Sequence, residues 1–205
     1  MHDPASRRQL GAGLFSLALL LVAAAVDWWA FRRTDGTVVV SDFVHVVVDM
    51  AQPALLIAGA ALRRPWSVDA ALVSERASAV LDCTAEWVIA LLMLLTAAGI
   101  FVAAVARSEV RPSHPTALIL TGAVGVVLNV LDAAVLFAVK SKTAAAAARH
   151  AVADALASLL VVASGTLPLV GLAGGEPWLA IVFALVIGWG GRTILRDAVL
   201  MTRRL

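Results

Sequence analysis

The stretch TVVVSDFVHVVVDMAQPALLIAGAAL, residues 37–62, decides what kind of chain this is. It is apolar almost throughout, and about 20 such residues make a helix that crosses the roughly 30 Å hydrocarbon layer of a bilayer. Yet it holds Asp42, His45 and Asp49. A carboxylate at mid-bilayer costs about 2.5–3.5 kcal/mol on insertion scales, so these residues need a reason to be there. His45 and Asp49 are four residues apart, which puts both side chains on one helix face, one turn from each other. The spacing recurs in HAVAD, residues 150–154, where His150 and Asp154 interrupt a second apolar run.

Outward from that stretch, the rest of the chain reads the same way. Hydrophobic residues make up 61% and charged residues 15% of the 205, and the mean hydropathy is +0.94. Soluble domains are roughly half apolar, so this composition predicts an all-α integral membrane protein. Six spans are expected, at about residues 10–30, 37–62, 78–106, 116–139, 145–169 and 177–200. They are expected to form one six-helix transmembrane domain over residues 1–205, with short connections and no soluble C-terminal domain expected. A β-barrel is excluded because its strands alternate over about ten residues, half the length of these runs. The single cysteine, Cys83, rules out an internal disulfide and any cysteine-based zinc module. A net charge of +2 carries no nucleic-acid footprint.

Lys and Arg set the orientation. With six spans both termini share a side, and that side holds twelve of the sixteen Lys and Arg residues. Only Arg32, Arg33, Arg107 and Arg111 fall on the other, so both termini are expected in the cytoplasm. SRRQLGAGLFSLA, residues 6–18, looks like a twin-arginine export signal. The first span is too long for one, though, and runs flush into Asp27-Trp28-Trp29, whose tryptophans read as an interfacial anchor.

Depth brings the two His/Asp pairs together. Asp49 lies about 21 Å of helix before Arg63, and Asp154 about 18 Å after Lys142, so both aspartates fall near mid-membrane. One reading is that each histidine bonds its own aspartate and locks helix packing. The other is that the pairs converge: two imidazole nitrogens and two carboxylate oxygens make a tetrahedral set suited to zinc. A dication would neutralise both carboxylates. Magnesium, which prefers all-oxygen octahedra, fits the imidazoles poorly.

SDFVHVVVD, residues 41–49, resembles the second-helix signature D-x-x-H-x-x-x-D of the cation diffusion facilitator family of divalent-metal transporters. HAVADALAS, residues 150–158, is similar to its fifth-helix signature. GAVGVVLNV, residues 122–130, resembles its fourth helix, with Asn129 at the family's asparagine position. EPWLAIVFALVI, residues 176–187, resembles the start of its sixth, with Glu176 where an aspartate is usual. The resemblance implies a metal site of His45, Asp49, His150 and Asp154. It implies a secondary active transporter rather than an enzyme, exporting Zn²⁺ from the cytoplasm by alternating access in exchange for protons, with no organic cofactor. The expected location is a bacterial inner membrane. Chemistry supports exchange independently, because these ligands bind metal or protons but not both, and histidine titrates near neutral pH.

With MTRRL directly after the sixth span, the expectation is a member without the family's cytoplasmic C-terminal domain. A homodimer would then have to form through the transmembrane helices. No histidine-rich loop joins the fourth and fifth helices, and only Asp69 stands where some members carry an accessory site.

Asp42, one turn from His45, reads as an ion-path carboxylate or a helix-start cap. Asn129 and Asp132, three apart on the fourth span, read as second ligand-shell or proton-path groups, or as interhelical hydrogen bonds. Asp82 and Glu86 share a face of the third span, and Arg76 and Asp197 resemble an inter-subunit charge pair of the family. His114 reads as a loop residue. Cd²⁺, Co²⁺ and Fe²⁺ remain open as cargo, since site preferences overlap. The rival reading is a haem b held by His45 and His150, although haem ligation does not ask for a carboxylate four residues after each histidine.

Overall fold

The computed structural model describes residues 4–33, 37–62, 68–106, 114–139, 141–172 and 176–203. Its helices are α1 (Pro4–Phe31), α2 (Thr37–Asp49), α3 (Ala51–Leu62), α4 (Val68–Ala106), α5 (Pro115–Ala138), α6 (Lys142–Thr166) and α7 (Glu176–Thr202). A 3-10 turn, Leu167–Val170, closes α6. Six stretches are long and apolar enough to cross a membrane: Arg7–Phe31, Asp42–Ala61, Asp82–Ala106, Pro115–Ala138, Thr143–Val170 and Trp178–Thr202. No strand occurs among the described residues. The all-α, six-span reading of the sequence holds.

Two helices stand where the sequence reads one second span. Pro53 has no N–H to give the carbonyl of Asp49, and its ring crowds that carbonyl. The helix therefore stops at Asp49 and restarts at Ala51, where proline is tolerated in the first turn. The Ala54 N–H reaches the Met50 carbonyl at 3.4 Å across the junction. The third span differs too: α4 begins ten residues before Ser78 and is 39 residues long. At 1.5 Å per residue that is about 58 Å, so its first turns project beyond the hydrocarbon. No glycine or proline lies between residues 68 and 78 to end it sooner.

The first, second, fourth and fifth spans surround the centre of the molecule, and α4 packs along α7 beside them. The closest packing is between α5 and α6. A Cβ on Gly122 would stand 2.7 Å from the Ser158 carbonyl and from the Val162 nitrogen, and one on Gly165 would stand 2.7 Å from the Pro115 carbonyl. Small residues at such seams let backbones approach where a bilayer supplies no hydrophobic force between helices. Ser141 starts α6, its hydroxyl accepting the Ala144 N–H at 3.1 Å. The alanine run that follows is a strong helix former, and Ala144, Ala147 and Ala148 pack onto Ala12, Leu56 and Leu136. This cap and this packing set the register of His150.

At the surface, Arg149 pairs with Asp197 at 3.3 Å within the chain, bridging α6 and α7. The side chain of Arg76, the partner that the sequence suggests for Asp197, lies outside the described residues, as do those of Asp69 and Glu176. The pair is well exposed, 57% at Arg149, and exposed pairs contribute about 0–1 kcal/mol. Arg149→Ala should therefore shift stability by less than about 1 kcal/mol in a thermal melt, and a larger loss would mean that the bridge holds the two helices together.

Candidate metal centre

The break after Asp49 and the cap before α6 deliver four side chains to one place. His45 Nε2 lies 3.0 Å from Asp154 Oδ1, and His150 Nε2 lies 3.0 Å from Asp49 Oδ1. Within each helix the distances are longer: 3.4 Å from His45 Nε2 to Asp49 Oδ2, and 3.4 Å from His150 Nε2 to Asp154 Oδ2. The pairing is thus crossed. Each histidine sits closer to the other helix's aspartate than to its own, which is not the intrahelical lock that spacing alone allows. All four side chains are buried, and the imidazole rings meet edge to face with centroids 5.9 Å apart.

These distances can be compared with a coordination shell. Zinc bonds of about 2.0–2.1 Å in a tetrahedron separate neighbouring ligand atoms by about 3.3–3.4 Å. The four N···O separations of 3.0–3.4 Å bracket that edge. His45, Asp49 and Asp154 each offer a ligand atom within 4.8 Å of the other two, and His150 closes the ring through Asp49 and Asp154. The Nδ1 atoms of both histidines are buried with no hydrogen-bond partner among the described residues.

A narrow cavity of about 20 Å³ opens beside the ring, with His45, Asp49 and Asp154 in its wall. That is room for one water or one ion. A porphyrin is far larger than this cavity, which gives the bis-histidine haem reading no support. Phe183 of α7 stands edge-on to His45 at 6.2 Å between ring centroids and helps keep the site dry.

The remaining sequence candidates divide. Asp42 is buried and lines the cavity, and so does Asn129, whose Nδ2 donates to Ser158 Oγ at 3.4 Å. Asp132 is buried away from that cavity wall. Its Oδ2 accepts a hydrogen bond from Ser16 Oγ of α1 at 2.9 Å, while its Oδ1 has no partner among the described residues. Cys83 turns to the far end of α7, 3.3 Å from Thr202 Oγ1. His114 is exposed just before α5.

One residue was missed. Asp27, only 4% exposed, lines the same cavity as Asp42. Trp28 and Phe43, next to them in sequence, have ring centroids 5.7 Å apart, so α1 and α2 are in contact at this level. Any ionisable residue inside an apolar run is a functional candidate, and that signal was present. The neighbouring tryptophans masked it by suggesting an exposed interfacial position.

The cation efflux transmembrane domain family matches residues 13–201. No curated protein matches the chain.

Proposed function

The chain belongs to the cation efflux family, whose members carry divalent metal cations across membranes and are transporters rather than enzymes, and on that footing we propose that it exports Zn²⁺ in exchange for protons. The carrying observation is the crossed ring of His45, Asp154, His150 and Asp49. Two carboxylates and two neutral imidazoles bind a dication with no net charge left in the hydrocarbon. A borderline-soft ion suits mixed nitrogen and oxygen donors better than Mg²⁺ or Ca²⁺ does. Cd²⁺, Co²⁺ and Fe²⁺ are the competitors that this donor set also admits.

Proton exchange follows from the same four groups. Zn²⁺ requires unprotonated imidazole and carboxylate, so binding expels whatever protons they carried. Protons arriving from the far side then displace the ion, and alternating access is the only further device needed. The excess of Lys and Arg at the end bearing both termini supports a cytoplasmic side for that end, of a bacterial inner membrane on this reading. Asp42 and Asp27 then lie on the exit side of the ring, along the cavity.

The test is uptake of Zn²⁺ into proteoliposomes containing a zinc-sensitive dye, with Cd²⁺ and Mn²⁺ as competitors. Saturable uptake that a proton gradient accelerates, inhibited by Cd²⁺ far more than by Mn²⁺, is expected. Uptake equal to that of empty vesicles defeats the reading. Apparent Zn²⁺ affinity, measured by calorimetry at several pH values, should weaken as pH falls through the range where imidazole protonates, about tenfold per unit for each proton displaced. A flat profile would mean that the ligands carry no exchangeable proton.

A further inference from the structure

A second feature lies on the outer face of the bundle, where α1 and α5 leave an open groove of about 460 Å³. Its walls are apolar side chains, among them Leu21, Ala25 and Trp29 of α1 and Leu120 of α5. From Leu21 to Trp29 the groove follows α1 for about 12 Å. At the Trp29 end the guanidinium of Arg33 lies over the indole, 4.4 Å from the ring centroid. Arg33 is exposed and belongs to the turn where α1 leaves the membrane.

The groove has a second neighbour. Val26 and Val124 line it, and the same two residues line the polar cavity that holds Asp27, Asp42 and His45. Val26 and Val124 therefore border both the bilayer-facing groove and the ion cavity. A shared wall gains from something packed behind it, because dispersion contacts are lost wherever an apolar surface faces empty space. At this depth the surrounding solvent is acyl chain, and at the rim the charge is positive. Tryptophan and arginine together at a membrane surface suit a headgroup phosphate, the indole lying among the headgroups and the cation pairing with the anion.

We propose that the α1–α5 groove is a phospholipid site of the leaflet opposite the termini. The headgroup phosphate rests on Arg33, and one acyl chain lies along the groove against Val26 and Val124. The chain completes the side wall of the ion cavity, so that ions leave along the spans and not sideways into the bilayer. This inference rests on the membrane-spanning fold and is independent of which cation is carried.

Native mass spectrometry of the full chain in detergent, titrated with long-chain phosphatidylglycerol, tests it. The wild-type chain should retain one lipid. Arg33→Ala should weaken retention about fivefold, from loss of one interfacial cation, and Arg33→Lys should restore it. Ala25→Phe fills the groove and should abolish retention. Leu95→Phe, on an exposed face of α4, should leave it unchanged. The Arg33 variants change only a surface side chain, so they report even if Ala25→Phe fails to fold. Retention unaltered by Arg33→Ala overturns the proposal. So does a lipid-free dimer whose formation Ala25→Phe blocks, since the groove would then hold a second copy of the chain.

Discussion

Replacing Asp154 with alanine is expected to reduce zinc transport in proteoliposomes to the level of empty vesicles, a loss of at least about 100-fold. Loss of an outer-shell partner alone typically costs 10–100-fold in metal affinity, and Asp154 would be a direct ligand. Its carboxylate also reaches both imidazoles, His45 at 3.0 Å and His150 at 3.4 Å, so its removal opens the ring on two sides. Breaking a buried charge pair by removing one partner destabilises by about 3–5 kcal/mol, so unfolding alone would also silence the alanine variant. Asp154→Asn separates the two effects. The amide keeps the volume and one acceptor oxygen for His45, so the bundle should stay folded by size-exclusion and thermal melt, while zinc binding by calorimetry is lost. His45→Ala should match Asp154→Ala, and Asp69→Ala should transport like wild type. Zinc transport by Asp154→Asn at the wild-type rate would sink the assignment of the ring as the transport site.

Gly122→Val should be nearly as damaging, although the residue touches no candidate ligand. Its Cβ would stand 2.7 Å from two main-chain atoms of α6, the Ser158 carbonyl and the Val162 nitrogen. Backbone cannot turn aside as a flexible side chain can, so α5 and α6 must separate. Overpacking of this kind costs about 1–3 kcal/mol. The functional effect comes on top of that cost, because Asp154 lies one turn before Ser158 on the displaced helix. An outward shift of α6 by a few tenths of an ångström lengthens the crossed 3.0 Å contacts to His45 and Asp49 together. We expect a lower melting temperature and at least tenfold weaker zinc binding, with the second persisting after the first is corrected by stabilising lipid. Gly125→Ala is the informative companion. The nearest atom to its Cβ is the Ser158 hydroxyl at 2.6 Å, a side chain that can rotate, so the loss should be smaller. Equal effects at the two positions would show that the seam is looser than the distances imply.

Much of the centre was legible in the chain because membranes make polar residues conspicuous. His45, Asp49, His150 and Asp154 stand out against valine and alanine, and equal spacing on two helices of similar depth points them to a common level. Asp27 shows where that legibility fails. Its carboxylate was equally conspicuous, but an adjacent pair of tryptophans reads as a membrane surface, and only the packing of α1 on α2 turns the aspartate inward. Met50 shows a second failure, since a proline four residues after Asp49 can either kink a helix or be absorbed by it. At Asp197 the described partner is Arg149 on the neighbouring helix, a contact that spacing along one helix does not announce.

Composition and apolar run length were enough to determine a six-span helical membrane protein, because hydrocarbon admits only helices and closed barrels and these runs are too long for barrel strands. The repeated spacing determined which side chains could meet. Tertiary structure alone decided that the pairs cross between helices, that a helix breaks immediately after one of them ahead of Pro53, and that Val26 and Val124 border both the cavity and the outer groove. Those outcomes depend on helix rotation and on separations of a few ångströms, which are set by how closely glycine and alanine let neighbouring backbones approach. A periodicity along one helix carries no information about that approach.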